Sequence, residues 1–282
     1  MIAAKHSDSP FTTHTAGPDT PFYVALFILS AIYVILIAAM LIANASYTSL
    51  EVFRRTLASP EIQYSIKLSL ITSSISTLLS LWVATALGYS LSRFNFPGKT
   101  LIDALLDVPI VLPPLVVGLS LLMLFTTPPG AWVEEQFEAL TGARITYAVP
   151  GVILAQFMVA CAFAVRTMRA TFDEISPRRE QVALTLGCTR SQAFWNVTLP
   201  EARRGLLVAA TLAWARSLGE FGPILMFAGA TRMKTEVMPT SVFLQMSMGD
   251  IEAAAAVSML MILSAAVVLL VVRVWGGVRY VR

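Results

Sequence analysis

Glu180-Gln181-Val182-Ala183-Leu184-Thr185-Leu186-Gly187, followed ten residues on by Val197-Thr198-Leu199-Pro200, is the stretch on which the reading of this chain turns. It lies in a polar interruption, residues 166–204, between two apolar segments. Ser176-Pro177 reads as a helix start, with Ser as N-cap, Pro in the first turn and Glu180 close enough to help cap. Ala183 and Gly187 fall four residues apart on one face, where small residues let another backbone approach. Gly187 also suits a left-handed turn between two short helices. The second helix is expected over Arg190 to Thr198, with Ala193, Phe194, Val197 and Leu199 as an apolar surface. Pro200 then breaks the pattern. A loop that only linked two spans would not need this design. The design fits either a hairpin packed on its own membrane domain or a docking surface for a partner.

The surrounding chain is oily. Its 282 residues are 56% hydrophobic and 13% charged, with mean hydropathy +0.73. A soluble domain carries about twice that charge. Several runs reach the roughly 18 apolar residues needed to cross about 30 Å of hydrocarbon. They are continuous rather than alternating, which selects helices over a barrel. The net charge of +3 sits in loops between spans, so it reports orientation. No nucleic-acid-binding motif is present. Cys161 and Cys188 make neither a disulfide nor a metal site, and His6 and His14 belong to a solvated tail. No phosphate-binding Gly-x-x-x-x-Gly-Lys-Ser/Thr occurs, so the chain has no ATPase site of its own. No metal spacing and no paired nucleophile and base suggest an intramembrane enzyme.

Residues 1–21 form a polar tail, disordered over 1–20. The first span is Phe22 to Ala43; Ala43-Asn44-Ala45 mimics a signal-peptidase site, but the run is too long for a signal and is read as uncleaved. Span two is Ser69 to Leu91, with Lys67 snorkelling at its outer end. Span three is Val108 to Phe125. Its Pro109, Pro113, Pro114 and Gly118 fit a turn where the helix starts at the membrane surface, or a broken helix lining a pathway. Loop 126–147 includes a short interfacial helix over Trp132 to Leu140. Span four is Ala148 to Val165, span five Leu206 to Phe227 and span six Ala253 to Val274. Met233 to Gly249 reads as a re-entrant or surface helix of an outer gate, or as simple loop packing. Lys5, Arg93, Lys99, Arg166, Arg169, Arg178, Arg179, Arg190, Arg203, Arg204, Arg273, Arg279 and Arg282 share the central-loop side. Only Arg54, Arg55, Arg144, Arg232 and Lys234, with Lys67 near the surface, lie opposite. This excess places the central loop and both termini in the cytoplasm.

The quoted stretch, its place between two spans and the following Arg204-Gly205-Leu206-Leu207 resemble the "EAA" loop of binding-protein-dependent ABC importer permeases of type I. One departure is that the Glu expected six residues before the Gly is Gln181, with Glu180 one place earlier and about 100° round the helix. Span five carries Arg216-Ser217-Leu218-Gly219-Glu220-Phe221-Gly222, then Phe227-Ala228-Gly229. This is similar to the Arg-Ala-Leu-Gly-Glu-Phe-Gly segment of molybdate, tungstate and sulfate permeases, as is Pro113-Pro114 with Gly118. The resemblance implies an all-α polytopic membrane protein with six transmembrane helices and a cytoplasmic coupling-helix loop between spans four and five. Residues 22–282 would form the permease domain in the cell membrane. Two copies would form the pore, two ABC ATPase subunits would use the ATP, and an extracytoplasmic solute-binding protein would deliver an oxyanion. No cofactor would bind this chain. The docking residues would be Glu180, Gln181, Ala183, Gly187, Phe194, Val197, Leu199 and Pro200. The path or gate would involve Pro113, Pro114, Arg216, Gly219, Glu220 and Gly222.

Arg216 and Glu220 share one helix face, Arg216 about 15 Å from the helix start. They neutralise each other, or Arg216 faces a watery path and attracts an oxyanion weakly. Gly219 and Gly222 permit close helix approach or a gate-like bend. Other readings are a permease for phosphate, ferric iron or an amino acid, or a self-contained channel or secondary carrier, whose half-helix repeats and buried acid arrays are missing.

Overall fold

The computed structural model of this chain describes residues 20–275. The expectations for the tail, including Lys5, His6 and His14, and for Arg279 and Arg282 lie outside the described residues, as does the side chain of Arg273. Every regular element described is helical.

The chain divides into two units, Met1–Ser46 and Tyr47–Arg282. The first contributes α1 (Thr20–Ser46), 27 residues without a charge, about 40 Å long at 1.5 Å per residue. It begins inside the expected tail, and Ala43-Asn44-Ala45 lies within its last turn.

The second unit opens with α2 (Leu50–Ala58), capped by the Ser49 hydroxyl, which accepts from the Val52 amide at 3.2 Å. Next comes α3 (Pro60–Arg93), whose 34 residues span about 50 Å, well beyond the expected Ser69–Leu91. Its buried face is Ser65, Ser69, Thr72, Ser73, Ser76, Ser80, Ala84 and Gly88. Small side chains let α7 (Val149–Glu174) lie close along it; a methyl on Gly88 would meet Met168 Cβ at 2.9 Å. The hydroxyls turn back on carbonyls, as Thr72 does on Leu68 at 2.8 Å.

The expected third span is two helices, α4 (Lys99–Val111) and α5 (Pro114–Thr126), bent by 115°. Leu112 and Pro113 are extended, and neither Pro113 nor Pro114 has an N–H to continue the ladder. Pro114 stands in the first turn of α5, as a helix start requires, and the same bend would serve a span broken in two; Pro109 stays inside α4. The interfacial helix is longer than expected, α6 (Pro128–Thr141), ending at Gly142. After α7 the central loop holds α8 (Pro177–Thr185), α9 (Arg190–Ala193), a π-helical turn at Phe194–Thr198 and α10 (Leu199–Glu201).

Span five is also broken. The helix α11 (Arg203–Leu218) stops, and α12 (Gly222–Phe227) restarts after Gly219-Glu220-Phe221. Pro223, in the first turn of α12, cannot donate to Gly219 and would clash in an unbroken helix. Then follow α13 (Met238–Ser247) and α14 (Ile251–Trp275). Among the described residues α1, α3, α7 and α14 are long and apolar enough to cross a membrane, and the α4–α5 pair would add a fifth span. Neither α11 nor α12 is long enough alone.

The core has two main parts. At the central-loop end Ala84, Leu91, Ala164, Met168, Phe172 and Ala209 join α3, α7 and α11. At the opposite end Leu68, Leu121, Val152, Ile224 and Phe227 join α3, α5, α7 and α12.

Candidate functional sites

The central loop is a hairpin with two unlike faces. Ser176 caps α8 without a side-chain hydrogen bond, and Glu180 does not cap it. That carboxylate instead turns to α3, accepting from Tyr89, lying 3.5 Å from Arg93 Nε and accepting from Thr198 at 3.4 Å. A charge so placed finds better donors in a guanidinium and two hydroxyls than in the amides of its own first turn. Gly187 has φ +92°, and the Cys188 amide closes the turn on the Ala183 carbonyl at 3.1 Å. Nothing lies within 4 Å of where a Gly187 methyl would sit, so the turn, not a close approach, requires glycine. Thr189 and Gln192 form a capping box, a Thr-x-x-Gln signal readable in sequence. Pro200 does not end the second helix. The π turn before it, closed by Leu199 N–H to Phe194 C=O, absorbs the missing donor, and the chain runs on into α11.

Of the expected docking residues, Ala183 is buried against the chain itself, and Phe194 is half-buried with its ring 4.8 Å from Tyr89. Glu180, Val197 and Leu199 are half-buried, while Gln181, Gly187 and Pro200 are exposed. Sequence reasoning missed the apolar residues that point away: Val182, Leu186 and Trp195, 57%, 80% and 62% exposed. Val182 and Leu186 are four apart on α8, a stripe overlooked beside Ala183 and Gly187. Beside this face an open groove of about 630 Å³ carries Arg203 and Arg204, with Arg179 paired to Glu201.

The second site is where the two broken helices meet. A methyl on Gly222 would sit 3.0 Å from Pro114 Cβ and 3.0 Å from Leu115 N; one on Gly118 would sit 2.6 Å from Pro223 Cα. The first turns of α5 and α12 therefore touch backbone to backbone, bringing Pro114, Gly118 and Gly222 together beside Pro113. Gly219 meets only its own helix, at 3.6 Å, and marks the bend. Arg216 Nη2 lies 3.5 Å from Glu220 Oε2, and its guanidinium sits 5.4 Å from the Phe163 ring centroid. The two charges are within ion-pair reach. Glu220 is buried, while Arg216 is 39% exposed. Glu220 Oε2, Arg216 Nε and Ser217 Oγ have no hydrogen-bond partner among the described residues.

Two acids at the opposite end are buried. Glu134 of α6 accepts from the Thr146 amide at 3.1 Å and from its hydroxyl, with Arg144 Nε at 3.5 Å. Burial would raise its pKa; the Thr146 hydrogen bonds and Arg144 outweigh it and hold the carboxyl below its ordinary value. Glu236 is fully buried before α13. Burial pushes its carboxyl up, and a hydrogen bond from Ser241 at 2.8 Å offsets this only in part. In α13, Met238 to Ser241 are buried and Phe243 and Met246 are exposed. Among the described residues no group of three or more His, Cys, Asp or Glu is placed to hold a metal ion, and Cys161 and Cys188 are free.

Comparison with known proteins gives these features a context. Residues 76–278 match the family described as binding-protein-dependent transport system inner membrane component. The sulfate transport system permease protein CysT of Salmonella typhimurium is 34% identical over 230 residues, 82% of each chain. The molybdenum transport system permease protein ModB of Escherichia coli K12 is 32% identical over 219 residues, 78% of this chain and 94% of that one. Among solved structures, a bacterial alginate ABC transporter in complex with an alginate pentasaccharide-bound periplasmic protein aligns with TM-score 0.73, at 19% identity, over 92% of this chain and 94% of its own. That likeness extends to the fold.

Proposed function

This chain belongs to the family of binding-protein-dependent transport system inner membrane components, and on that premise we propose that it is the membrane subunit of an ATP-driven oxyanion importer. Sulfate, molybdate or tungstate is the cargo; the support is its likeness to a sulfate and a molybdenum permease. Residues 22–282 act as the permease domain and residues 1–21 as a tail. Two copies enclose the pore, the central loop and termini face the cytoplasm, and an outside binding protein delivers the solute. ATP is hydrolysed by two partner subunits, and this chain binds no cofactor.

The observation that carries the coupling half is the two-faced hairpin. Its inner face is satisfied within the chain, and Val182, Leu186 and Trp195 are left to water. Burying three such side chains is worth roughly 4–9 kcal/mol before the cost of association. A hairpin that merely packed on its own domain would turn those residues inward. When the ATPases close on ATP, the hairpins move and the helices hinge at Pro113 and Gly219, opening the path outward; hydrolysis resets them. Arg216, 3.5 Å from the buried Glu220, balances that charge at the break in the helix.

Affinity-purified permease should carry its ATPase, and a Val182→Asp, Leu186→Asp double variant should lose it while still being extracted as a folded membrane protein. Proteoliposomes should then take up sulfate, molybdate or tungstate only with ATP and the binding protein. Uptake of phosphate, ferric iron or an amino acid instead would replace the cargo, and uptake without any ATPase would replace the mechanism. A cysteine at Thr189 should be labelled from the cytoplasmic side and one at Glu135 from outside; reversed labelling would invert the orientation.

A further inference from the structure

The last turns of α3 plug into the central loop. Tyr89 donates to Glu180, and its ring lies 4.8 Å from Phe194 and 5.6 Å from Phe172. Arg93 donates to the Ile175 carbonyl at 2.8 Å and sits 3.5 Å from Glu180 Oε2. One carboxylate thus ties α8 to α3 and, through Thr198, to the π turn. The joint is largely covered, the side chains of Arg93 and Glu180 being 10% and 14% exposed. The far end of α3 is tied too: Tyr64 donates to the Lys234 carbonyl at 3.1 Å, and Ser69 accepts from the Met238 amide at 2.7 Å. From Ser69 to Tyr89 is about 30 Å along the helix.

We propose that Glu180 is a positioning residue that fastens the docking loop to α3, so that α3 carries the loop's movement to the segment Thr231–Ser241 at the opposite end. This rests on the reading that the loop docks an ATPase. Both α7 and α11 follow the loop because the chain connects them. The third helix has no chain connection to the loop: it packs along α7, and the joint at Glu180 adds its direct tie to the docking helix α8. Covered, charge-assisted hydrogen bonds resist separation far better than exposed ones. The packing of α3 along α7 supports it over the distance between the two joints. Glu180 points away from the Val182, Leu186 and Trp195 face, so it acts on coupling without forming the docking surface.

The test uses the permease in nanodiscs with its ATPase subunits and binding protein. Three quantities are read: amide hydrogen exchange of residues 176–200, ATPase co-purification, and solute imported per ATP in matching proteoliposomes. Glu180→Gln should speed loop exchange about tenfold, retain the ATPase, and lower import per ATP by a similar factor. Tyr64→Phe with Ser69→Ala should lower import per ATP while leaving loop exchange unchanged. Should Glu180→Gln fail to fold, Tyr89→Phe removes only one hydroxyl from the joint and should act in the same direction. Unchanged loop exchange, or unchanged import per ATP with the ATPase still bound, overturns the fastener alone. A wild-type permease that never retains the ATPase overturns the docking reading and this inference together.

Discussion

At the central-loop end charged side chains make the joints: Glu180 with Arg93, Arg179 with Glu201, and Asp103 and Asp107 of α4 with Arg169 and Arg166 of α7. At the opposite end the close joints are backbone against backbone, Gly118 on Pro223 and Gly222 on Pro114, with Glu236 held by Ser241 and Glu134 by Thr146 and an exposed Arg144. Ion pairs near water tolerate shifts of a few tenths of an ångström, because Coulomb energy changes slowly with distance. Close packing does not tolerate them. The loop end is therefore built to move as a fastened piece, and its spare apolar face to meet something else. The opposite end is built to keep one shape until it hinges at a glycine or a proline.

The largest expected effect breaks the close-packed end. Gly118→Leu forces a side chain into the backbone of Pro223 and should cost about 3 kcal/mol or more. Folded permease recovered by size exclusion should fall sharply; near-normal yield would mean the α5–α12 contact has slack. Next comes the pair at the break. Arg216→Gln strands the buried Glu220 and should cost about 2–3 kcal/mol, below the fully buried case because Arg216 is partly exposed. The double variant with Glu220→Gln should restore most of the complex and retain transport. If it assembles well but imports nothing, Arg216 guides the anion and the neutralising role is secondary. Gly187→Val then tests the loop end. Open space surrounds Gly187, so the cost is backbone strain alone, about 1–2 kcal/mol. Insertion and extraction should survive, while stimulated ATP hydrolysis and import should fall. Full import in a well-assembled Gly187→Val complex would remove the loop from coupling.

The smallest effect is in pH. Glu134 titrates below the ordinary 4.5 in the fold, so its contribution is present above 4.5 and lost as pH falls through its folded value. Glu236 titrates above 4.5, so its contribution is present below 4.5 and lost as pH rises through its folded value. Thermal midpoints across pH should show Glu134→Gln flattening the acid limb and Glu236→Gln flattening the other. Both variants shifting the same limb would contradict this pairing of environments.

Helical character, the apolar runs and the hairpin around Gly187 could be read from residues alone, because each rests on local spacing. Pro113-Pro114 marked a helix start or a break without choosing between them, and gave no sign of the 115° bend, which depends on α5 packing against α12. The break in span five also had a local signal, Pro223, hidden inside an apolar run that reads as continuous. Pro200 misled in the other direction, since a π turn absorbed it. Among the site residues, Gly187, Arg216 and Glu220 were legible from turn chemistry and i, i+4 spacing. The outward turn of Val182, Leu186 and Trp195 was not, because which stripe of a short helix faces water is set by what covers the other stripe. By itself, then, the sequence determined that this is an all-helical membrane chain with a shaped polar hairpin and a proline cluster in its third apolar run. The tertiary structure decided that Glu180 binds α3 rather than its own helix end, and that the two interruptions touch. Those choices belong to partners distant in the chain, and hydrogen-bond and packing energies depend on distances in space that local periodicity does not encode.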